Sequence, residues 1–180
     1  MSLKEKIKSF YVNPRDINTK CFSDVKGSTY GQLNFQGTEA FIEEFSNYLD
    51  KPDAVFYDLG CGPGHLVFHI GLMTKVKKAI GIEFEAKRLE YAIKAVGEHP
   101  DIDNVEFIYG DFTDKDLSDA TIVYIDNTVL PDTIVDKVYD KLPTGCLLVT
   151  AKNYRNMCFK TKLSFHRNYS NSKIHYLTKE

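Results

Sequence analysis

The sequence predicts an α/β fold: a single Rossmann-like, doubly wound sheet, mostly parallel, extended at one edge by a C-terminal antiparallel hairpin. Three observations carry this expectation. Short apolar runs alternate with stretches of helical periodicity from residue 54 to residue 150, the pattern of strand–helix–strand units on a parallel sheet. The run 121–125 is almost unbroken in its apolar character, as a central strand covered on both faces requires. Gly60, Gly62 and Gly64 follow the first run directly, and alternating glycines there allow a sharp turn from strand into helix.

In chain order, residues 1–36 show weak periodicity and read as irregular. Thr38 is placed to cap a helix running through Asp50, with Phe41, Phe45 and Leu49 on one stripe. Strand 54–58 and helix 64–73 flank the glycine turn. Strand 78–83 leads to helix 85–98, where Leu89, Ala92, Ile93 and Val96 recur at helical spacing. Strands 105–109 and 121–125 come next. Pro131, a favoured first-turn residue, opens helix 131–141. Strand 145–150 follows, and strands 162–167 and 173–178 flank Asn168–Ser172 as a hairpin. No repeat, linker or second domain is visible, so residues 1–180 read as one domain.

At 43% hydrophobic residues over 180, the chain has enough material for one real core. No apolar run approaches the roughly 20 residues a membrane-spanning helix needs. Met1–Lys8 is lysine-rich with no apolar stretch behind it, so no signal peptide is expected. Cys21, Cys61, Cys146 and Cys158 lack paired metal-ligand spacing. No metal is expected, and the cysteines read as reduced, in a cytoplasmic or nuclear protein. The net charge of −2 is unevenly spread: residues 151–180 carry +6 and residues 1–150 carry −8. A basic end on an acidic body can steer an anionic partner, or simply be the solvated face of a hairpin.

The glycine turn carries the chemistry. Dinucleotide sites use Gly-x-Gly-x-x-Gly to aim a helix N-terminus at a pyrophosphate. Here the spacing is Gly60-x-Gly62-x-Gly64 with Asp58 just before it, which suits a neutral ribose and a cationic amino-acid tail. Asp58 is placed to meet an ammonium group. Glu83 ends the next strand and is placed to accept both ribose hydroxyls. After strand 105–109 come Gly110, Asp111 and Phe112. There Asp111 is a candidate acceptor for an adenine amino group and Phe112 a candidate surface for the ring. The ligand these residues describe is S-adenosylmethionine, with Asp58, Gly60, Gly62, Gly64, Glu83, Asp111 and Phe112 as its candidate contacts.

With these motifs the chain resembles the class I, seven-strand methyltransferases over about residues 54–178. Tyr30-Gly31-Gln32 lies upstream of the first strand, and Ile122-Val123-Tyr124-Ile125-Asp126-Asn127 follows the Gly-Asp-Phe segment. That layout is similar to the DOT-one-like protein lysine methyltransferases, a non-SET family. The resemblance implies a protein lysine as methyl acceptor. It implies that Tyr30 folds over the cofactor, within an N-terminal covering segment and helix at residues 1–50. It also implies that Asp126 and Asn127 sit beside the reactive centre, with Asp126 touching the cofactor as well. The chain departs from the family pattern in three places: Gln32 stands for a glutamate, Asp126 for the first asparagine, and Leu130 for an aromatic.

Methyl transfer from a sulfonium is an in-line displacement that depends mostly on positioning. Candidate catalytic residues are therefore Asp126, Asn127 and Tyr30. For Asp126 and Asn127 the competing reading is a cap on the helix near Pro131. Tyr154 and Phe159 either line a lysine channel or pack. Two other functions stay open. One is transfer to a small-molecule or nucleobase amine, although Asp126-Asn127-Thr128-Val129 lacks the Pro-Pro-aromatic of exocyclic-amine enzymes. The other is a non-catalytic cofactor-binding module. Nucleic acid is a partner only through the basic C-terminal segment and not as the expected acceptor.

Overall fold

A computed structural model describes residues 3–10, 33–154, 160–166 and 171–180. Tyr30-Gly31-Gln32 and Phe159 lie outside the described residues. Seven strands form one sheet: β1 (Val55–Leu59), β2 (Lys78–Glu83), β3 (Val105–Tyr109), β4 (Ile122–Ile125), β5 (Leu147–Thr150), β6 (Lys160–His166) and β7 (Asn171–Thr178), in the order β3-β2-β1-β4-β5-β7-β6. The first five run parallel. β7 pairs antiparallel with β5, and β6 with β7, with a register irregularity between Lys162 and Phe165. The strand order reverses between β1 and β4. Such a reversal opens a crevice at the C-terminal strand ends, where ligands bind in open α/β sheets.

Alternation along the strands separates two cores. Phe56, Ala79, Ile122, Tyr124, Leu147 and Val149 point to one face, where they meet Phe41 and Phe45, Phe68 and Ala92. Those partners come from α2 (Phe35–Glu44) and the residue after it, α4 (His65–Met73) and α5 (Ala86–Glu98). Tyr57, Ile80, Ile82, Val123, Ile125 and Leu148 point to the other face, under Val135 and Val138 of α6 (Asp132–Lys141). α4 is buried from His65 to Gly71, which is why its sequence is apolar nearly all round.

The bounds of β2 and β3 match the sequence expectation, and several other elements differ from it. Residues 1–36 contain α1 (Leu3–Ser9). It is held by Ile7, 1% exposed, and by Phe10, which stacks on Phe68 with ring centroids 4.2 Å apart. One turn of stripe is too short to read as periodicity. Asn34, not Thr38, caps α2 by accepting from the Gly37 N–H at 2.9 Å, and Thr38 is buried inside the helix. The helical run breaks at Phe45 before the short α3 (Ser46–Leu49). Pro131 is the N-cap of α6 rather than its first helical residue. β5 starts two residues later than expected because Gly145 takes φ +87°. Ile93 on α5 is 55% exposed, so the buried stripe of that helix is Leu89 and Ala92.

Candidate active site

Strand parity brings three acids together. Asp58 continues the face of Phe56, Glu83 that of Ala79 and Gly81, and Asp126 that of Ile122 and Tyr124. They therefore project to one side of the sheet at the C-terminal ends of β1, β2 and β4, which are neighbours. Asp58 pairs in register with Gly81 and Tyr124, one layer below the other two.

The three carboxylates differ in their surroundings. Asp58 is 5% exposed, and its side chain accepts no hydrogen bond from any described residue. Burial first, then the charges of Glu83 and Asp126, hold its carboxyl well above the usual carboxylate range. Glu83 is 2% exposed and braced: it accepts from the Gly62 N–H and from the Glu85 N–H, both at 2.9 Å. A carboxylate offers about four lone-pair positions, so the brace leaves Glu83 able to accept two more donors. Asp126, half-buried, accepts from the Thr128 N–H at 3.1 Å and the Thr128 hydroxyl at 2.6 Å. This is a local Asx turn, so Asp126 does not cap α6.

The glycines divide by role. Gly60, Gly62 and Gly64 all have positive φ (85°, 57° and 82°), a conformation costly for other residues. A Cβ on Gly60 would meet nothing within 4 Å, so this turn presents bare backbone to open space. A Cβ on Gly64 would lie 2.3 Å from Phe107, so Gly64 serves the packing of α4 against β3. Gly81 makes room for the Cys61 sulfur and Phe107 in the same way, at 2.6 and 2.8 Å. Cys61, 8% exposed, is buried beneath the turn, and burial together with Asp58 and Glu83 pushes its thiol well up.

Asp111 is exposed and accepts from the Thr113 N–H at 2.8 Å, capping the 3-10 turn Phe112–Asp114. Phe112 is half-buried against the Val123 side of the core. The Lys141 ammonium donates to the Thr113 and Lys115 carbonyls, the latter at 3.0 Å, and so fixes this loop from the end of α6. Asn127 is 1% exposed, and both ends of its amide are engaged with the backbone of one residue, Lys152. Its Nδ2 donates to the Lys152 carbonyl at 3.0 Å, and its Oδ1 accepts from the Lys152 N–H at 2.8 Å. That clasp ties the end of β4 to the end of β5, which corrects the expectation that Asn127 faces a substrate. Tyr154, 2% exposed, packs in the core. Tyr30 lies outside the described residues.

Sequence reasoning missed Glu85 and His65. Glu85 caps α5 by accepting from the Lys87 and Arg88 N–H groups at 3.3 and 2.9 Å; an acid just ahead of Ala86 was the available signal. His65, 2% exposed at the start of α4, is pushed by burial down to about 3. Among the described residues no group of His, Cys, Asp and Glu is arranged to hold a metal ion. None of the described helices is long and apolar enough to cross a membrane.

A buried carboxylate without a donor among the described residues, a braced carboxylate with spare lone pairs and an open glycine backbone fit a ligand with a cationic group and vicinal hydroxyls. A family model described as "Methyltransferase domain" matches residues 50–159. This chain belongs to the methyltransferase domain family. The domain is 32% identical over 71 residues to a protein-lysine N-methyltransferase of Saccharolobus islandicus (strain REY15A), covering 39% of this chain and 44% of that protein. It is 26% identical over 156 residues to a histone-lysine N-methyltransferase, H3 lysine-79 specific, of Caenorhabditis elegans, covering 77% of this chain and 16% of that protein. The chain thus spans less than half the length of either curated relative. Among solved structures, the methyltransferase domain is similar to an RNA methyltransferase from Salinibacter ruber in complex with S-adenosyl-L-homocysteine. The TM-score is 0.68 at 22% identity, over 82% of this chain and 93% of that one. At that identity the likeness shows the fold.

Proposed function

We propose that this methyltransferase domain uses S-adenosylmethionine as methyl donor and transfers the methyl group to the amine of a protein lysine. The observation that carries the donor half is the grouping at one crevice of braced Glu83, open Gly60 and Asp58, which is buried and has no hydrogen-bond donor among the described residues. Support for the acceptor half comes from the two protein-lysine relatives, together with the resemblance around Asp126.

When bound, S-adenosylmethionine supplies a methyl group on a positively charged sulfur, open to in-line attack by an amine. Asp58 binds the ammonium end of the donor, where a buried carboxylate gains most from a cation. Glu83 accepts the ribose hydroxyls with the lone pairs its brace leaves over. The Gly60 backbone approaches the donor closely because no Cβ intervenes. Asp111 and Phe112, on a loop held by Lys141, flank the adenine. Asp126, at the rim, orients the lysine nitrogen by accepting a hydrogen bond from it. A lysine starts near pKa ~10.4 and must lose a proton to solvent before attack. Leaving water lowers that value, so positioning replaces a dedicated base.

The test is incubation with radiolabelled S-adenosylmethionine and three separate acceptors: core histones, a whole-cell protein extract and mixed nucleic acid. Label on protein that is lost when lysines are blocked supports the reading. Label on nucleic acid alone overturns the lysine acceptor. No label anywhere, with donor still bound by calorimetry, turns the assignment toward a small-molecule acceptor or a binding module.

A further inference from the structure

Asp58 stands apart from every other acid of the crevice. Its side chain is 5% exposed and accepts no hydrogen bond from the described residues. Among those residues neither Asp58 nor Glu83 forms an ion pair, and the Arg88 guanidinium lies 4.0 Å from Glu85. Among the described residues the ionisable groups facing Asp58 are Glu83 from the end of β2, Asp126 from the segment after β4, and the Cys61 thiol from the turn. None of the three brings a positive charge. Glu83 cannot swing away, because the Gly62 and Glu85 N–H groups hold its two oxygens. An ionised Asp58 would therefore be a desolvated anion beside other acids, with no cation among the described residues to offset it, the arrangement that favours the neutral acid.

Resting on the donor assignment above, we infer that Asp58 carries a proton in the ligand-free protein and releases it to solvent when a ligand's ammonium group docks beside it, so that the crevice selects ammonium-bearing ligands over neutral ones of the same adenosine shape. The step breaks only the carboxyl O–H bond. The proton goes to buffer, the electron pair stays on the carboxylate, and the ligand is chemically unchanged. Affinity for such a ligand then rises with pH up to the point where free Asp58 is already ionised, by at most about tenfold per pH unit for one proton.

Titration calorimetry at about pH 6, above the ordinary carboxylate range, in two buffers of different ionisation enthalpy, counts the protons released. The probes are S-adenosylmethionine, S-adenosylhomocysteine and 5′-methylthioadenosine, which keeps the nucleoside and lacks the amino acid. Release approaching about one proton for the first two probes and none for the third supports the inference. Asp58→Asn, checked for an intact thermal transition, should abolish release and weaken S-adenosylmethionine about tenfold or more, leaving methylthioadenosine affinity unchanged. Binding of S-adenosylmethionine without proton release overturns the inference, as does release that persists in Asp58→Asn or accompanies methylthioadenosine. Failure of S-adenosylmethionine to bind at all overturns the donor assignment itself, and this inference with it.

Discussion

Gly60 and Gly64 share a positive φ and a turn, yet substitution should separate them cleanly. Gly64→Ala drives a methyl group into the Phe107 ring and adds backbone strain, which should cost about 2–4 kcal/mol of stability. Gly60→Ala meets only strain, about 1–2 kcal/mol, and its methyl group then occupies the ligand's approach. Thermal melts should show the larger loss in Gly64→Ala, and calorimetry the larger loss of S-adenosylmethionine affinity per degree of melting in Gly60→Ala. Equal losses of affinity in two equally stable variants would refute the division of roles. The acids were legible because side chains two apart in a strand share a face, and 58, 83 and 126 each end an apolar run. What the spacing did not reveal was the brace on Glu83, since hydrogen bonds to backbone N–H groups across a turn leave no mark in residue order. Glu83→Ala should therefore lower stability as well as affinity, whereas Asp58→Ala should lose about 1–3 kcal/mol of affinity without a matching loss of stability. Matched melts and titrations of the two variants check this.

Between elements, the most consequential contact is the amide of Asn127. It holds the peptide of Lys152, whose carbonyl also accepts from the Thr150 hydroxyl at 3.0 Å. Asn127→Ala strands the Lys152 N–H and should cost about 1–3 kcal/mol, or several degrees of melting temperature in a domain of this size. Donor affinity should hold, because Asp58 and Glu83 belong to other strands. A variant with normal stability and selectively lost donor binding would return Asn127 to the ligand. Sequence reasoning misassigned this residue for a physical reason: a polar residue past a parallel strand is equally suited to clasp a neighbouring chain end or to face a ligand, and only the position of β5 decides. The strands themselves were readable from their apolar runs, as the matched bounds of β2 and β3 illustrate. The caps were harder, because Asn34 and Thr38 are both plausible N-caps and the choice between them rests on which is buried.

For the molecule as a whole, two buried groups set opposing responses to pH. His65 is neutral in the fold, with its pKa pushed down to about 3. The unfolded chain takes up a proton there below about 6.5, so stability falls as pH drops from about 6.5 toward 3, by a few kcal/mol. Asp58 has its pKa raised, so the folded ligand-free protein holds the extra proton. Its term reduces stability as pH rises from about 3.9 through the raised value. Asp58→Asn should thus melt higher than the parent protein at neutral pH without ligand, by about 2–4 °C for each kcal/mol relieved. A scan of melting temperature against pH that leaves the two proteins parallel would refute the assignment. The crevice is a place where local stability is given up for binding, and no count of hydrophobic residues could have located it.

Cys61 turns the same architecture into a clock. Its sulfur lies under the glycine turn, wedged where Gly81 lacks a side chain, and its thiol resists ionisation. A thiol reagent attacks only the thiolate, so labelling of Cys61 must wait for the turn to lift off the sheet. With the other three cysteines changed to serine, the rate of that labelling measures how often the crevice opens, and a ligand seated across Gly60 will slow it in proportion to its occupancy.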